Sequence, residues 1–308
     1  MTKKKDHTSG VMALKIILTC MLIGIISPYN QVLGQSNRAK ALEFYAQGGL
    51  YDAQNDPVNA IKAYLQALQY DPTSSEIHTA LAADYFRIKQ REEALNHAKK
   101  AVDLNPTATE AWLVLGRCHA DLAKFLPARS AFERVVALAP GNIEAHIALS
   151  QIAARLNDKE TVLQELEIVS RLAPRNAEFH FKLAEAYKMN GMFDKAVIEL
   201  QKVLDDFPDS IPARVALTEI YEGTRQWDKA VLMYREIIAL GPDREAVLRH
   251  RLARILMFLG KFNEAIHEYH SLLDNNRTTP SLWAELSEAH QNSGHPEKAL
   301  EILREGLS

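Results

Sequence analysis

Residues 109–142 read TEAWLVLGRCHADLAKFLPARSAFERVVALAPGN, and what recurs in phase with them decides the fold. Pro140 belongs to a series with Pro72, Pro106, Pro174, Pro208 and Pro242, each 34 residues from the next. Proline is only 12 of 308 residues, too few for that series to be accidental. Other positions keep the phase. Twelve residues before each proline stands a small side chain: Ala60, Ala94, Ala128, Val162, Ala196 or Ala230. Five before it stands Ala67, Ala101, Val135, Val169, Val203 or Ile237. Leu115-Gly116 has counterparts in Leu81-Ala82, Leu149-Ser150, Leu183-Ala184 and Leu217-Thr218. A fixed period of this length marks stacked supersecondary units.

Within a unit the apolar residues recur at three and four, as in Leu81, Tyr85 and Ile88, or Ala128, Phe132 and Val135. That spacing predicts two amphipathic helices per unit. Small residues at the matched positions let helix backbones approach closely. Proline closes the unit because the residue before it resists helical geometry. Gly191, Gly260 and Gly294 fall between the paired helices, where a turn can use positive φ. One unit alone cannot bury its apolar face, so stacking is obligatory.

The period and its positions resemble the tetratricopeptide repeat, best matched by Trp112, Leu115, Gly116, Ala128, Phe132 and Pro140. Phasing gives repeats at 41–74, 75–108, 109–142, 143–176, 177–210 and 211–244. A one-residue insertion near Gly241-Pro242-Asp243 shifts the register, and repeats at 246–279 and 280–308 follow. The resemblance implies an all-α, right-handed superhelical solenoid of about eight helix-turn-helix repeats. First helices would line its concave side and second helices its outer side.

Composition agrees with a folded soluble domain: 47% hydrophobic and 24% charged residues. The net charge of −3 gives no basic excess for nucleic acid. Two cysteines, Cys20 and Cys118, exclude a disulfide scaffold and a thiolate zinc site.

The first 34 residues have their own logic. Lys3, Lys4, Lys5 and Lys15 precede an apolar run from Ile16 to Ile26 and then Ser27-Pro28-Tyr29-Asn30. Val32-Leu33-Gly34 offers a cleavage point before Gln35. This is the three-part layout of a secretory signal peptide, and the expected location is periplasmic or secreted. The apolar run is short for a bilayer span. An uncleaved membrane anchor is the alternative, followed by a lipoprotein joined through Cys20, for which Thr19 is a poor neighbour. Residues 35–40 are read as a short linker. Four of the 36 basic and one of the 39 acidic residues lie in 1–34, so the remaining chain is near −6.

No nucleophile elbow, phosphate-binding glycine loop, zinc-protease helix or paired-carboxylate motif is present, so no enzymatic activity, cofactor or metal is expected. His78, His146 and His180 replace the aromatic at one repeat position, too far apart to share an ion, and are read as packing or capping residues. His267 and His270, beside Glu264 and Glu268, are read as a solvated outer face. Cys118 is read as an inert buried thiol. Glu76, Glu110, Glu144 and Glu178 recur at the second repeat position, where each complements a helix dipole.

The resemblance also implies a ligand groove built from the second, fifth, ninth, twelfth and thirteenth residues of each repeat. In repeats two to four these positions hold Phe86, Arg87, Leu113, Arg117, Ile147, Gln151 and Arg155. Repeat five contributes Phe181, Glu185, Lys188 and Met189. Later repeats add Glu219, Glu222, His250, Arg254, Met257 and Phe258, then Glu288, Gln291 and Asn292. Apolar side chains beside arginine suit a peptide; the competing reading is that the aromatics pack between helices. Arg87, Arg117 and Arg155 are expected to hold an acidic stretch of a partner. Thr79, Ala80 and Ala83 do not match the lysine–asparagine clamp by which some family members bind chaperone C-termini.

The expected function is a non-enzymatic, exported interaction scaffold in a cell-envelope assembly or secretion complex, holding a peptide or partner subunit. A membrane-anchored assembly factor and a regulatory, non-catalytic subunit of an enzyme complex are the alternatives. At the C-terminal end, Ala299, Leu300, Leu303 and Leu307 form an apolar stripe expected to pair with a second copy or a partner.

Overall fold

The computed structural model describes residues 37–241, 245–275 and 280–306. Among them are sixteen α-helices and no strand, so the all-α repeat reading holds. The chain divides into two units, Met1–Asp158 and Lys159–Ser308. In the first, α1 (Asn37–Ala53) pairs with α2 (Pro57–Tyr70), α3 (Ser75–Arg87) with α4 (Arg91–Leu104), and α5 (Thr109–Asp121) with α6 (Phe125–Leu138). Helix α7 (Ile143–Arg155) packs on α6.

In the second unit, α8 (Lys159–Leu172) packs on α9 (Ala177–Met189), which pairs with α10 (Phe193–Asp206). The pairs α11 (Ile211–Gly223) with α12 (Trp227–Ala239), α13 (Glu245–Phe258) with α14 (Phe262–Asn275), and α15 (Pro280–Asn292) with α16 (Pro296–Gly306) follow. The units divide inside the fourth sequence repeat, between α7 and α8. Residues 37–40, read as linker, instead form the first turn of α1. The apolar run Ile16–Ile26, the insertion at Pro242-Asp243 and Leu307 lie outside the described residues.

The repeat positions explain the packing. The small residue in each second helix is fully enclosed: Ala60, Ala94, Ala128, Ala196, Ala230 and Ala265 are all 0% exposed. Gly116 shows why its position is small. A Cβ there would stand 2.8 Å from the Phe132 ring, inside van der Waals contact. Gly48 bears the same relation to Tyr64. Phe132 joins Leu113, Ile152 and Leu149 in one buried cluster, and burial of each such side chain is worth about 1.5–3 kcal/mol.

The prolines act through the residue before them. Asp71, Asn105, Ala139 and Phe207 all leave helical geometry, with φ from −132° to −140° and ψ from 75° to 92°. The carbonyl of that proline then meets the fourth residue of the next repeat. Trp112 Nε1 donates to Pro106 O at 2.9 Å. His78, His146 and His180 reach Pro72, Pro140 and Pro174 through Nε2 at 3.3, 2.9 and 2.9 Å. Arg214 reaches Pro208 through its guanidinium. Five side chains of three types thus satisfy the same turn carbonyl, and the three histidines are structural. At the following helix start, Ser74, Asn142, Asn176 and Ser210 accept a backbone N–H as N-caps.

Candidate functional site

In the first unit, α3, α5 and α7 supply the expected groove residues. A cavity of about 330 Å³ is lined by Phe86, Ala120, Ile147, Ala148 and Ile152, with Arg117, Glu144, Asp121 and Gln151 around it. Phe86 and Ile147 are half-buried and remain available at this surface. Leu113 is not: it is 4% exposed and belongs to the core beside Phe132. For that side chain the packing alternative is the right one.

The three arginines differ in state. Arg117 makes a bidentate pair with Glu144, Nε to Oε1 and Nη2 to Oε2, both 2.6 Å. Arg87 donates through Nη1 to Asp52 and Asp84 and through Nη2 to Asn55, each at 2.7 Å. Both guanidinium groups are therefore already matched by the protein's own acceptors. Arg155 is exposed at the end of α7 and forms no ion pair among the described residues. The glutamate at the second position consequently does more than complement a dipole, since Glu144 bridges two repeats through Arg117. Glu178 pairs within its own helix, with Lys182 at 2.7 Å.

In the second unit Phe181 is half-buried against the α9–α11 core. Lys188 is held between Glu185 at 2.9 Å and Glu219 at 3.3 Å. Phe258 is 72% exposed and lies edge-on to Trp227, ring centroids 5.4 Å apart. These two line a cavity of about 390 Å³ with Glu222, Arg251, Arg254 and Ile255. His250 Nε2 meets Glu285 Oε2 at 2.6 Å. On α16, Leu300 and Leu303 are 58% and 40% exposed, whereas Ala299 and Ile302 are buried.

Other candidates resolve as structure. Cys118 is 2% exposed, and burial pushes its thiol up to about 11, so little thiolate forms. His267 and His270 are exposed on α14, while Glu264 and Glu268 pair with Arg235 and Arg249. Among the described residues no three His, Cys, Asp or Glu side chains converge to hold a metal ion. No described helix is long and apolar enough to cross a membrane.

Sequence reasoning missed an acidic cluster behind Arg87. Asp84 is 1% exposed, and burial together with Asp52 pushes its carboxyl up to about 7. Tyr64 donates its hydroxyl to Asp52 at 2.7 Å. The signal was a charged residue at a position that elsewhere holds Cys118, Ile152, Ala186 or Ile220.

Comparison with known proteins agrees with this architecture. Models described as tetratricopeptide repeat match residues 44–74, 79–143, 178–210 and 213–248, together more than half of the chain. The Protein STIP1 homolog of Dictyostelium discoideum is 34% identical over 68 residues, 22% of this chain and only 12% of that protein. The structure of Naa15/Naa10 bound to HypK superposes with a TM-score of 0.62 at 19% identity, over 82% of this chain and 39% of that one. YrrB, a TPR protein with an unusual peptide-binding site, gives 0.52 at 20% identity, over 60% and 95%. Repeat by repeat, from the proline turns to the enclosed alanines, the chain belongs to the tetratricopeptide repeat family, a non-catalytic protein-interaction module.

Proposed function

We propose that this protein is a non-enzymatic scaffold that binds an extended segment of a partner protein on its first-helix surfaces. The observation that carries this reading is the first unit's cavity, with a floor of Phe86, Ala120, Ile147 and Ile152 and polar walls at Arg117–Glu144 and Gln151. An apolar floor with a polar rim is the anatomy of a peptide-binding patch. We further propose that it is exported and works in a cell-envelope assembly, on the strength of the lysine-led apolar segment and Val32-Leu33-Gly34. Leu300 and Leu303 offer a second contact surface, suited to another copy or a partner.

Selection of random displayed peptides against the full chain tests the binding reading. Enriched peptides should bind the wild type, and Ile147→Asp should weaken them about tenfold or more, the ~1.4 kcal/mol expected from placing a charge in an apolar floor. No enrichment, or equal affinity for the folded variant, defeats the reading.

A further inference from the structure

One recess recurs in both units at identical repeat positions. Each is built from the twelfth and seventeenth residues of one repeat and the ninth, tenth and thirteenth of the next. In the first unit these are Ala120 and Phe125, then Gln151, Ile152 and Arg155, around about 660 Å³. In the second they are Glu222 and Trp227, then Arg254, Ile255 and Phe258, around about 390 Å³. The aromatic at position seventeen opens each second helix, so its ring stands at the turn end of the hairpin. The isoleucine at position ten forms the floor, Ile152 at 4% and Ile255 at 8% exposure.

Each recess has a cationic lip. Arg155 and Arg254 are exposed and form no ion pair among the described residues. Arg251 lies beside Arg254 and engages the neutral Tyr234 hydroxyl. Glu222, the one carboxylate in the lining, accepts from that hydroxyl at 2.8 Å. Phe193 and Ile220 hold the same two positions in another pair of repeats. There the ninth residue is Glu219, paired with Lys188, and the thirteenth is Gly223, so the cationic lip is missing.

We propose that the Phe125–Ile152–Arg155 and Trp227–Ile255–Arg254 recesses are equivalent docking points for a partner polypeptide, each taking one aromatic or branched aliphatic side chain that neighbours an aspartate or glutamate. Charge complementarity selects the occupant: an arginine with no internal partner beside an apolar floor favours a carboxylate next to an apolar group. A nucleic acid fits poorly, because neither recess has the run of cations that successive phosphates require. The proposal rests on the scaffold reading but places the anchors at the turn edge.

The indole N–H signals of the isotopically labelled full chain test it, with Trp227 assigned by Trp227→Phe. Titration with acetyl-Glu-Phe-Glu-amide should shift the Trp227 signal saturably. Acetyl-Lys-Phe-Lys-amide and acetyl-Glu-Gly-Glu-amide should bind about tenfold more weakly or worse. Arg254→Glu should reverse the charge preference, and the milder Arg254→Gln should abolish it. Phe125→Trp should report the same pattern in the first recess, lost in Arg155→Glu. Arg155 and Arg254 are exposed, whereas Phe125 and Trp227 are half-buried, so unchanged circular dichroism is required of each variant. No shift at either reporter, a shift indifferent to charge reversal, or an equal shift with a thymidine octanucleotide overturns the proposal. Peptides that bind wild type and lose affinity in Ile147→Asp, while leaving both reporters unmoved, overturn this inference and leave the scaffold reading standing.

Discussion

The fifteenth residue of each repeat adopts positive φ: Asn55, Lys89, Ala123, Asn157, Gly191, Arg225, Gly260 and Gly294. It follows the first helix, and the next residue donates its N–H back to the last turn, as Lys124 does to His119 O at 2.9 Å and Gln226 to Tyr221 O at 2.8 Å. This is a Schellman closure, which wants glycine. Ala123, at φ 54°, has neither glycine's freedom nor asparagine's side-chain hydrogen bonding to offset the cost. Its side chain is exposed, so removing the Cβ sacrifices no packing. Ala123→Gly should therefore stabilise the protein by about 0.5–1 kcal/mol, the αL penalty less glycine's extra unfolded entropy. A urea midpoint equal to or below that of the wild type would contradict this. Only three of these turns were legible beforehand, because only glycine advertises the requirement. Likewise, the sequence showed histidines replacing an aromatic but hid their common task with Trp112 and Arg214. An N–H held within reach of a proline carbonyl leaves no trace in a hydrophobic pattern.

Between helices, α3 and α4 carry opposed titrations. His78 donates from Nε2 to Pro72 O, so its Nδ1 must accept, and it faces His97 Nδ1 at 2.8 Å. His97 Nδ1–H is then the donor, and the contact fails once both rings are protonated and two N–H groups face each other. Burial lowers both histidines; His78 and Lys100 act further on His97, which reaches about 4, while Glu93 opposes. Unfolded histidine titrates near ~6.5, so the stability these rings confer is complete above that pH and is lost as pH falls toward 4. Asp84, on α3, has the opposite sign. Its folded carboxyl keeps its proton until about 7, whereas an unfolded aspartate releases it near ~3.9, so its contribution declines as pH rises through that interval. Wild-type stability should thus change little between pH 7 and 4.5. The variants separate the effects: the urea midpoint of Asp84→Asn should fall on acidification relative to that of His97→Gln. Parallel profiles for the two would show that these groups do not carry the linkage. Only the charge at Asp84's repeat position stood out in the sequence, and neither titration was legible there. Helix periodicity located α3 and α4, but His78, which faces His97, and Asp52, which acts on Asp84, come from other helices, and the spacing of apolar residues does not encode them. The same holds for Arg87 and Arg117, whose repeat positions were readable and whose internal carboxylates were not.

At the scale of the molecule the array was readable because one rule is copied along the chain, whereas the N-terminal segment departs from that rule and its expected export role awaits a test. Helix α1 begins at Asn37, two residues beyond the expected mature terminus at Gln35. A peptidase cutting after Gly34 would leave two residues ahead of that helix. Its product would be nearer −6 than −3, since the removed stretch holds four lysines and one aspartate. It would also keep Cys118 as its sole cysteine, with the thiol enclosed and pushed up to about 11. A chain with one inert thiol suits an oxidising compartment, where it can neither cross-link internally nor exchange readily. Expression of the full chain in a secretion-competent bacterial host, followed by intact-mass measurement, should show loss of residues 1–34 and recovery from the periplasmic fraction. Retention of those residues in a membrane-bound product would mean that Ile16–Ile26 serves as an anchor. A product beginning at a lipid-modified Cys20 would mean that the cleavage lies fifteen residues upstream, where Thr19 is the weakest part of the match.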